Sequence, residues 1–332
     1  MNTKLKQVIE SMHNQNMDSM IVLKPENIRY LTGFRPSSSS ILILKEDPIL
    51  LASKIDREDA LGSSIVNLEV YKEFKDIKKM LMGKIGIEKS MTIETFQKLS
   101  GEFKVETTDL VEISRSIKSK WEIENIEKAL QIAEKSLMEL EFNSTEVELA
   151  AQLEYNMRIN GSERASFDSI MASGARTSLP HSTPTFNNVE SPILIDWGAV
   201  YNNYSSDTTR TIIETEKQEE IFNIVTEAQK TAIKSIEPGV KSSEIDAVAR
   251  AVITEYGYGD AFIHSTGHGV GLEIHEPPSL SIKDESVLEK GMVVTVEPGI
   301  YIEGEFGVRI EDMILIKNHA KVLNKIKTRF SF

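Results

Sequence analysis

The stretch "ILIDWGAVYNNYSSDTTRT" (193–211) carries an apolar run that delivers Asp196 at the end of a buried strand, then an Asn-Asn pair, then Asp207. The midpoint between the two aspartates falls at Tyr201–Asn202, beside residues that favour tight hairpin turns. A hairpin there makes Asp196 and Asp207 rough cross-strand neighbours. Cross-strand Cβ atoms lie about 4.5–5.5 Å apart, a spacing at which one carboxylate can bridge two cations while the other holds the first of them. Either aspartate taken alone reads more readily as a surface acid.

The same arrangement recurs in "VTVEPGIYIEGEFGVRIED" (294–312), where Gly304 sits midway between Glu297 and Glu311 and "FGVRIEDMILI" returns as the partner strand. Apolar residues flank each glutamate, which weighs against an exposed acidic hairpin. Four carboxylates around two divalent ions balance formally at zero charge, and such ions lower the pKa of bound water. Without ions the four acids would repel one another and take up protons.

A third stretch, "HSTGHGVGLEIHE" (264–276), places His268 between Gly267 and Gly269, with Gly271 beyond. The glycines are expected to let the backbone turn tightly around His268, with "LEIHE" resuming strand alternation. His268 and His275, seven residues apart, would face opposite sides of a regular strand, so serving one site requires the glycines to reset the phase. His264 lies close by, and His181 stands further back in "LPHS". The G-x-G-x-G spacing, with no helix following, does not fit a dinucleotide loop.

At 332 residues and 40% apolar content the chain can bury more than one core, since single cores stop growing near ~250–300 residues. Cysteine is absent, which excludes disulfides, thiolate metal sites and cysteine nucleophiles and leaves carboxylate, imidazole or water as metal donors. The opening "MNTKLKQVIESMHNQNMDSM" has no apolar core of signal-peptide length, and no run approaches the ~18 apolar residues of a membrane span. A cytoplasmic protein is expected. A net charge of −13 weighs against nucleic acid or anionic membrane as a partner.

The N-terminal third alternates strand-length apolar runs with polar helical segments. The strands are "SMIVL" (19–23), "SSILIL" (39–44), "PILLAS" (48–53), "NLEVY" and "KIGIE" (84–88), and helices are expected over 73–82 and 91–99. This predicts an α/β domain over 1–112, a linker over 113–120 and an α+β domain over 121–332. In the second domain a helix carries Ile123, Ile126, Ala129, Leu130, Ala133 and Leu137. Thr145 and Glu148 have capping-box spacing at the start of the next. Two more helices are expected at about 217–235 and 242–256, the latter opening on serine and closing before Gly257. Ser37–Ser40 reads as a loop.

With these motifs in hand the chain resembles the metallopeptidase family of prolidase, aminopeptidase P and methionine aminopeptidase, which share the pita-bread fold. "NIRYLTGF" (27–34) looks like the signature of the creatinase-like N-terminal domain. "SFDSIMASGARTSLPHS" (166–182), the Asp-x10-Asp segment, "GHGVGLEIHE", "EPGIY" and "GVRIED" match the catalytic domain in order. The resemblance implies that Asp196 holds the first metal ion, that Asp207 and Glu311 bridge, and that His268 and Glu297 complete the second ion's shell. It makes Glu297 the general base, His275 the stabiliser of the tetrahedral oxyanion, His181 a substrate contact near the scissile bond and His264 a further pocket residue. Arg309, two residues before Glu311 and so on the same strand face, is expected to hold the region's carboxylates or face substrate. Asn203 stands where relatives often have glycine; asparagine tolerates the left-handed conformation, so the turn is expected to survive.

The implied cofactors are two divalent ions, Mn²⁺ or Co²⁺ first, with Zn²⁺ or Fe²⁺ compatible. The implied substrate is a short Xaa-Pro peptide and the implied assembly a homodimer. Xaa-Pro dipeptidase is the leading reading and aminopeptidase P the alternative. A non-catalytic binding protein of the same fold is the reading from a different class. One departure bears on the choice. Many prolidases place an arginine shortly after the second histidine to grip a dipeptide's C-terminal carboxylate, whereas none lies between His275 and Gly291. An unpaired desolvated carboxylate costs several kcal/mol, so either another cation, with Arg35 of "GFRPSSSS" the candidate, substitutes, or longer peptides are accepted.

Overall fold

The apolar runs of the first third assemble into a six-stranded mixed sheet, ordered β4-β3-β2-β1-β5-β6. Its strands are β1 (Ser19–Val22), β2 (Ile41–Leu44), β3 (Ile49–Ala52), β4 (Asn67–Val70), β5 (Lys84–Glu88) and β6 (Lys104–Thr108). The computed structural model describes residues 3–71 and 74–329. All residues of β1 and β2 are buried, as central strands covered on both faces require. Edge strand β6 is mostly polar and exposed, which is why no apolar run announced it. Around the sheet lie α1 (Thr3–Asn14), α2 (Pro25–Thr32), α3 (Arg57–Ser63), α4 (Phe74–Lys78), α5 (Ile93–Ser100) and α6 (Leu110–Ser116). The helix expected over 73–82 is shorter, and residue 73 lies outside the described residues.

The "NIRYLTGF" segment is helix α2 with its cap. Pro25 occupies the first turn, and Gly33 closes the helix at φ 84°, a left-handed position that favours glycine. Asn27 is its hub. Its Nδ2 donates to Glu88 (2.7 Å) and Glu112 (2.8 Å), and its Oδ1 accepts from Arg115 (2.6 Å), so this signature joins α2, β5 and α6.

The chain divides into two compact units, Met1–Arg115 and Ser116–Phe332. The segment 113–120 holds the end of α6, an isolated bridge from Ile117 to Met292 and the start of α7 (Lys120–Leu137). Ser119 and Glu122 form a capping box there.

In the second unit two helix pairs cover two sheets. α7 and α8 (Glu146–Ile159) pack Ile132, Ala133, Leu149, Leu153 and Met157 against Met171, Ile195 and Trp197. Those residues lie on the antiparallel sheet of β7 (Ile170–Ser173), β8 (Ile193–Trp197) and β11 (Thr208–Ile212). The Thr145–Glu148 capping box is present. α9 (Glu216–Ser235) and α10 (Ser242–Glu255) pack Ile221, Val225, Ala228, Ile245 and Ala249 against Val294, Val296, Val308 and Ile314. α10 opens on Ser242, as expected, with Lys241 at its N-cap and no side-chain cap. Gly257 follows its end at φ 85°.

The second sheet runs β13-β12-β14-β17-β18. Its strands are β12 (Gly267–Gly269), β13 (Glu276–Leu280), β14 (Val293–Val296), β17 (Asp312–Ile316) and β18 (Ala320–Val322). Two short hairpins complete the unit: β9 (Val200–Tyr201) with β10 (Tyr204–Ser205), and β15 (Gly299–Ile302) with β16 (Phe306–Arg309). The fold is thus the expected α/β domain followed by the α+β unit of the pita-bread class. Among the described residues no helix is long and apolar enough to cross a membrane.

Candidate active site

Two hairpins and one loop bring the acids and histidines together. In the glutamate hairpin, Val296 pairs with Asp312 on one side and Gly299 with Arg309 on the other, a register that sets Glu297 opposite Glu311. The aspartate hairpin is offset from expectation. Tyr201 pairs with Tyr204 and Asp196 with Thr209, so Asp207 lies two residues beyond the partner of Asp196, diagonal on the same face. The turn is Asn202–Asn203, both at positive φ (48° and 67°). Asn203 therefore keeps the left-handed conformation, and the hairpin centre moves one residue past the midpoint of the aspartates.

The histidine segment also differs from expectation. "LEIHE" is not a strand: residues 271–275 are bends, and β13 begins at Glu276. A register shift between His268 and Gly269 and this loop change the phase, leaving the His268 and His275 rings 4.3 Å apart at 68°. The glycines work by close approach rather than by unusual φ. A Cβ on Gly267 would lie 2.1 Å from Thr295 O, and one on Gly269 would lie 2.5 Å from Pro277 O. Only glycine lets β12 lie this close to its neighbours.

Asp207, His268 and Glu311 offer donor atoms within 4.8 Å of one another. His268 Nε2 lies 3.4 Å from Asp207 Oδ2 and 3.4 Å from Glu297 Oε1. His268 Nδ1 lies 3.0 Å from Gly269 O; a proton on Nδ1 then leaves Nε2 as a lone pair facing the acids. Glu297 donates its N–H to Thr266 O at 2.7 Å and accepts from Thr295 Oγ1 at 3.3 Å.

Arg309 orients the other acids. Its NH2 donates to Asp196 Oδ2 (2.7 Å), its Nε to Thr209 Oγ1 (3.1 Å), and its NH1 to Tyr301 OH (2.7 Å) and Pro180 O (3.3 Å). The Thr209 hydroxyl in turn donates a hydrogen bond to Glu311 Oε2 at 2.9 Å. Sequence reasoning missed Thr209 and Tyr301. Thr209 becomes the cross-strand partner of Asp196 only through the one-residue offset of the turn, whereas Tyr301 was detectable as the tyrosine of "EPGIY".

Electrostatics follow from burial. Desolvation pushes the Asp207 and Glu311 carboxyls well above the ordinary range, and Asp196 beside Asp207, with Asp207 beside Glu311, adds to it. Asp196 is raised by burial against the opposing charge of Arg309. Burial works against the Arg309 charge, yet Tyr301, Asp196 and Glu297 hold it well above the usual guanidinium value. Burial takes the Tyr301 hydroxyl up to about 12. His264 is lowered by burial, and His275 by burial and then by His268, so both favour the neutral imidazole.

A metal pair fits this donor set. Asp196 Oδ1 and Glu311 Oε1 are buried without a hydrogen-bond partner, and buried carboxylate oxygens left bare cost free energy that a cation would repay. The His268 and carboxylate contacts at 3.4 Å join acceptor to acceptor, an arrangement that a shared cation satisfies. Oxygen donors with one imidazole suit hard or borderline divalent ions.

Above this cluster opens a cavity of about 980 Å³ lined by His181, His264 and His275, with Phe167, Ile170 and Ile274 among its apolar residues. His181 lies exposed on the loop after the 3₁₀ turn Gly174–Ser178. His264 is tied on both sides, Nε2 to Tyr301 OH (2.9 Å) and Nδ1 to Ser265 O (2.7 Å). Among the described lining residues the one cation is Arg309. Arg35 lies exposed in the first unit, after α2.

The profile of metallopeptidase family M24 matches residues 124–318, and that of the creatinase/prolidase N-terminal domain matches 4–119. The chain belongs to metallopeptidase family M24. An Xaa-Pro dipeptidase of Pyrococcus horikoshii is 44% identical, over 98% of this chain and 97% of its own. A crystal structure of the prolidase from that organism superposes with a TM-score of 0.93 at 42% identity, covering 98% and 99% of the two chains. The M24 fold alone does not separate substrate classes. An X-Pro aminopeptidase structure from Thermotoga maritima gives a TM-score of 0.89 at 34% identity, covering 98% of each chain.

Proposed function

We propose that this M24 chain is a dinuclear-metal hydrolase that cleaves the Xaa-Pro bond of dipeptides. The observation that carries the reading is the cluster of Asp207, His268 and Glu311, with buried unpartnered carboxylate oxygens on Glu311 and on Asp196, at a cavity lined by three further histidines. Similarity to the Pyrococcus horikoshii Xaa-Pro dipeptidase supports the substrate class. Asp196, Asp207, His268, Glu297 and Glu311 would hold the ions, which when bound polarise a carbonyl and acidify water.

The remaining chemistry belongs to side chains. Glu297, held by Thr266 O and Thr295 Oγ1, takes the proton of the attacking water on its carboxylate and returns it to the leaving amine. Neutral His275, exposed to the cavity beside His268, donates one N–H to the developing oxyanion. His181 contacts the substrate near the scissile bond. His264, with both ring nitrogens engaged, acts as a fixed wall of the pocket. Arg309 works by orienting Asp196 and, through Thr209, Glu311. We assign Mn²⁺ or Co²⁺ on the oxygen-rich donor set. A cytoplasmic homodimer, and domains over 1–112 and 121–332 joined by 113–120, complete the same reading from the sequence and the family resemblance.

One observation favours the second reading, removal of an N-terminal residue before proline from longer peptides. Arg309, the one cation among the described lining residues, already directs its donors to protein oxygens. Comparing kcat/KM for an Xaa-Pro dipeptide and its C-terminally amidated form, in Mn²⁺-loaded protein, decides the matter. Strong preference for the free carboxylate supports the dipeptidase. Equal or faster cleavage of the amide makes the chain an aminopeptidase P-type enzyme, and no turnover of either with any divalent metal refutes both.

A further inference from the structure

His275 has a task that demands precise placement, and no hydrogen bond from its ring holds it. It is exposed on the cavity wall, and its ring meets only the ring of His268 among the described contacts. Its position must therefore come from its backbone, which belongs to the bends between β12 and β13.

The next residue, Glu276, is buried together with Lys118. The Lys118 Nζ to Glu276 Oε2 distance is 3.2 Å, and both side chains are 2% exposed. Glu276 Oε1 accepts the backbone N–H of Glu273 at 3.0 Å, which closes the turn 273–276 around His275. The loop passes so near this carboxylate that a Cβ on Gly271 would lie 2.5 Å from Glu276 Oε2. Gly271 is in turn fixed, its N–H donating to Glu273 O (3.0 Å) and its O accepting from Ser205 N–H (2.8 Å). Lys118 is anchored at the other end, its N–H donating to Gly291 O at 2.9 Å just before β14.

A buried ion pair is a poor source of stability, because desolvation consumes most of the attraction, but it is a strict constraint on geometry once both charges are inside. Here the constraint falls on the loop in which Glu276 directly follows His275. We propose that Lys118 is a positioning residue for His275, acting through the Glu276 carboxylate and the turn that it closes. The proposal rests on the oxyanion role given to His275 above.

Lys118→Met should lower kcat about 10- to 100-fold, since a displacement near 1 Å at a reacting group costs about that much. Bound Mn²⁺ should be unchanged and KM should move less than about threefold. Lys118→Arg should recover most of the loss. The discriminating measurement is a double-mutant cycle in Mn²⁺-loaded full-length protein. In a His275→Ala background, Lys118→Met should cost less than about twofold more, because nothing is left to position. A folded Lys118→Met with wild-type kcat overturns the proposal, as does an undiminished loss in the His275→Ala background. An unchanged kcat in His275→Ala alone removes the role of His275 itself, and the proposal falls with it. Should Lys118→Met fail to fold because the buried Glu276 carboxylate loses the lysine charge, Lys118→Met with Glu276→Leu removes both charges. That pair should fold and still show the lowered kcat, and full activity in it refutes the positioning role.

Discussion

Glu146→Gln tests how the segment bearing His181 is held. Glu146 opens α8 with no accessible surface and ties together both ends of residues 173–185. One carboxylate oxygen accepts from Ser173 N–H (2.8 Å) and Ser173 Oγ (2.9 Å). The other accepts from Thr185 N–H (2.9 Å), Thr185 Oγ1 (2.7 Å) and Arg176 Nε (3.3 Å). Glutamine keeps one oxygen but turns an NH2 group toward the second set of donors. Hydrogen bonds to a charged group are worth ~1.5–3 kcal/mol each and an unpaired buried donor costs ~1–3 kcal/mol, partly offset by relaxation, so the loss should be about 3–5 kcal/mol. At roughly 2–4 °C per kcal/mol for a unit of this size, Tm should fall about 6–20 °C at pH 7. Although burial opposes ionisation, the Thr185 and Ser173 bonds hold the carboxyl below its ordinary value. A lowered folded-state pKa gives stability present above the unfolded value of about 4.3 and lost as pH falls through the folded value. The Tm gap between wild type and variant should therefore narrow below about pH 4. Thermal unfolding at pH 7 and pH 3.5 measures both. A drop under about 2 °C at pH 7, or a gap indifferent to pH, refutes the reasoning.

Asp207→Asn should abolish turnover and reduce bound divalent metal, because an amide cannot supply a second anionic oxygen; elemental analysis with an Xaa-Pro assay checks it, and an active variant with full metal content contradicts it. His275→Ala should retain metal while losing about 10²–10³ in kcat, the usual cost of one oxyanion donor; metal loss would mean that His268 and His275 have exchanged roles. Exhaustive chelation should lower Tm and stop hydrolysis, and Mn²⁺ should restore both, since a ligand at 1,000 times its Kd stabilises by ~4 kcal/mol; full activity after chelation would rule out the two-metal reading.

Much of the site was legible because strand alternation and hairpin symmetry are local. Glu297 and Glu311 stand opposite each other, as their spacing about Gly304 implied. The aspartate offset was not legible. It depends on the two turn residues being Asn202 and Asn203 rather than Tyr201 and Asn202, a shift of one residue that the tolerance of asparagine for positive φ permits. The phase of His268 against His275 depends on a register shift and on bends where the apolar and polar residues of "LEIHE" mimic a strand.

From the chain alone one could derive the two-part architecture, the donor types available to a metal, and the segments that carry them, since period, turn residues and the absence of cysteine are properties of residue order and composition. Only the tertiary structure decided which charges are buried. Arg309 and Asp196 are 113 positions apart, Lys118 and Glu276 are 158 apart, and Arg176 and Glu146 are 30 apart, yet each pair meets in the second unit. In sequence Lys118, Glu276, Arg176 and Glu146 read as ordinary solvated charges, and residue order does not single out Asp196 as the partner of Arg309. Burial is set by what other segments pack above a residue, and a charge taken out of water must find its partner wherever the fold brings one within reach.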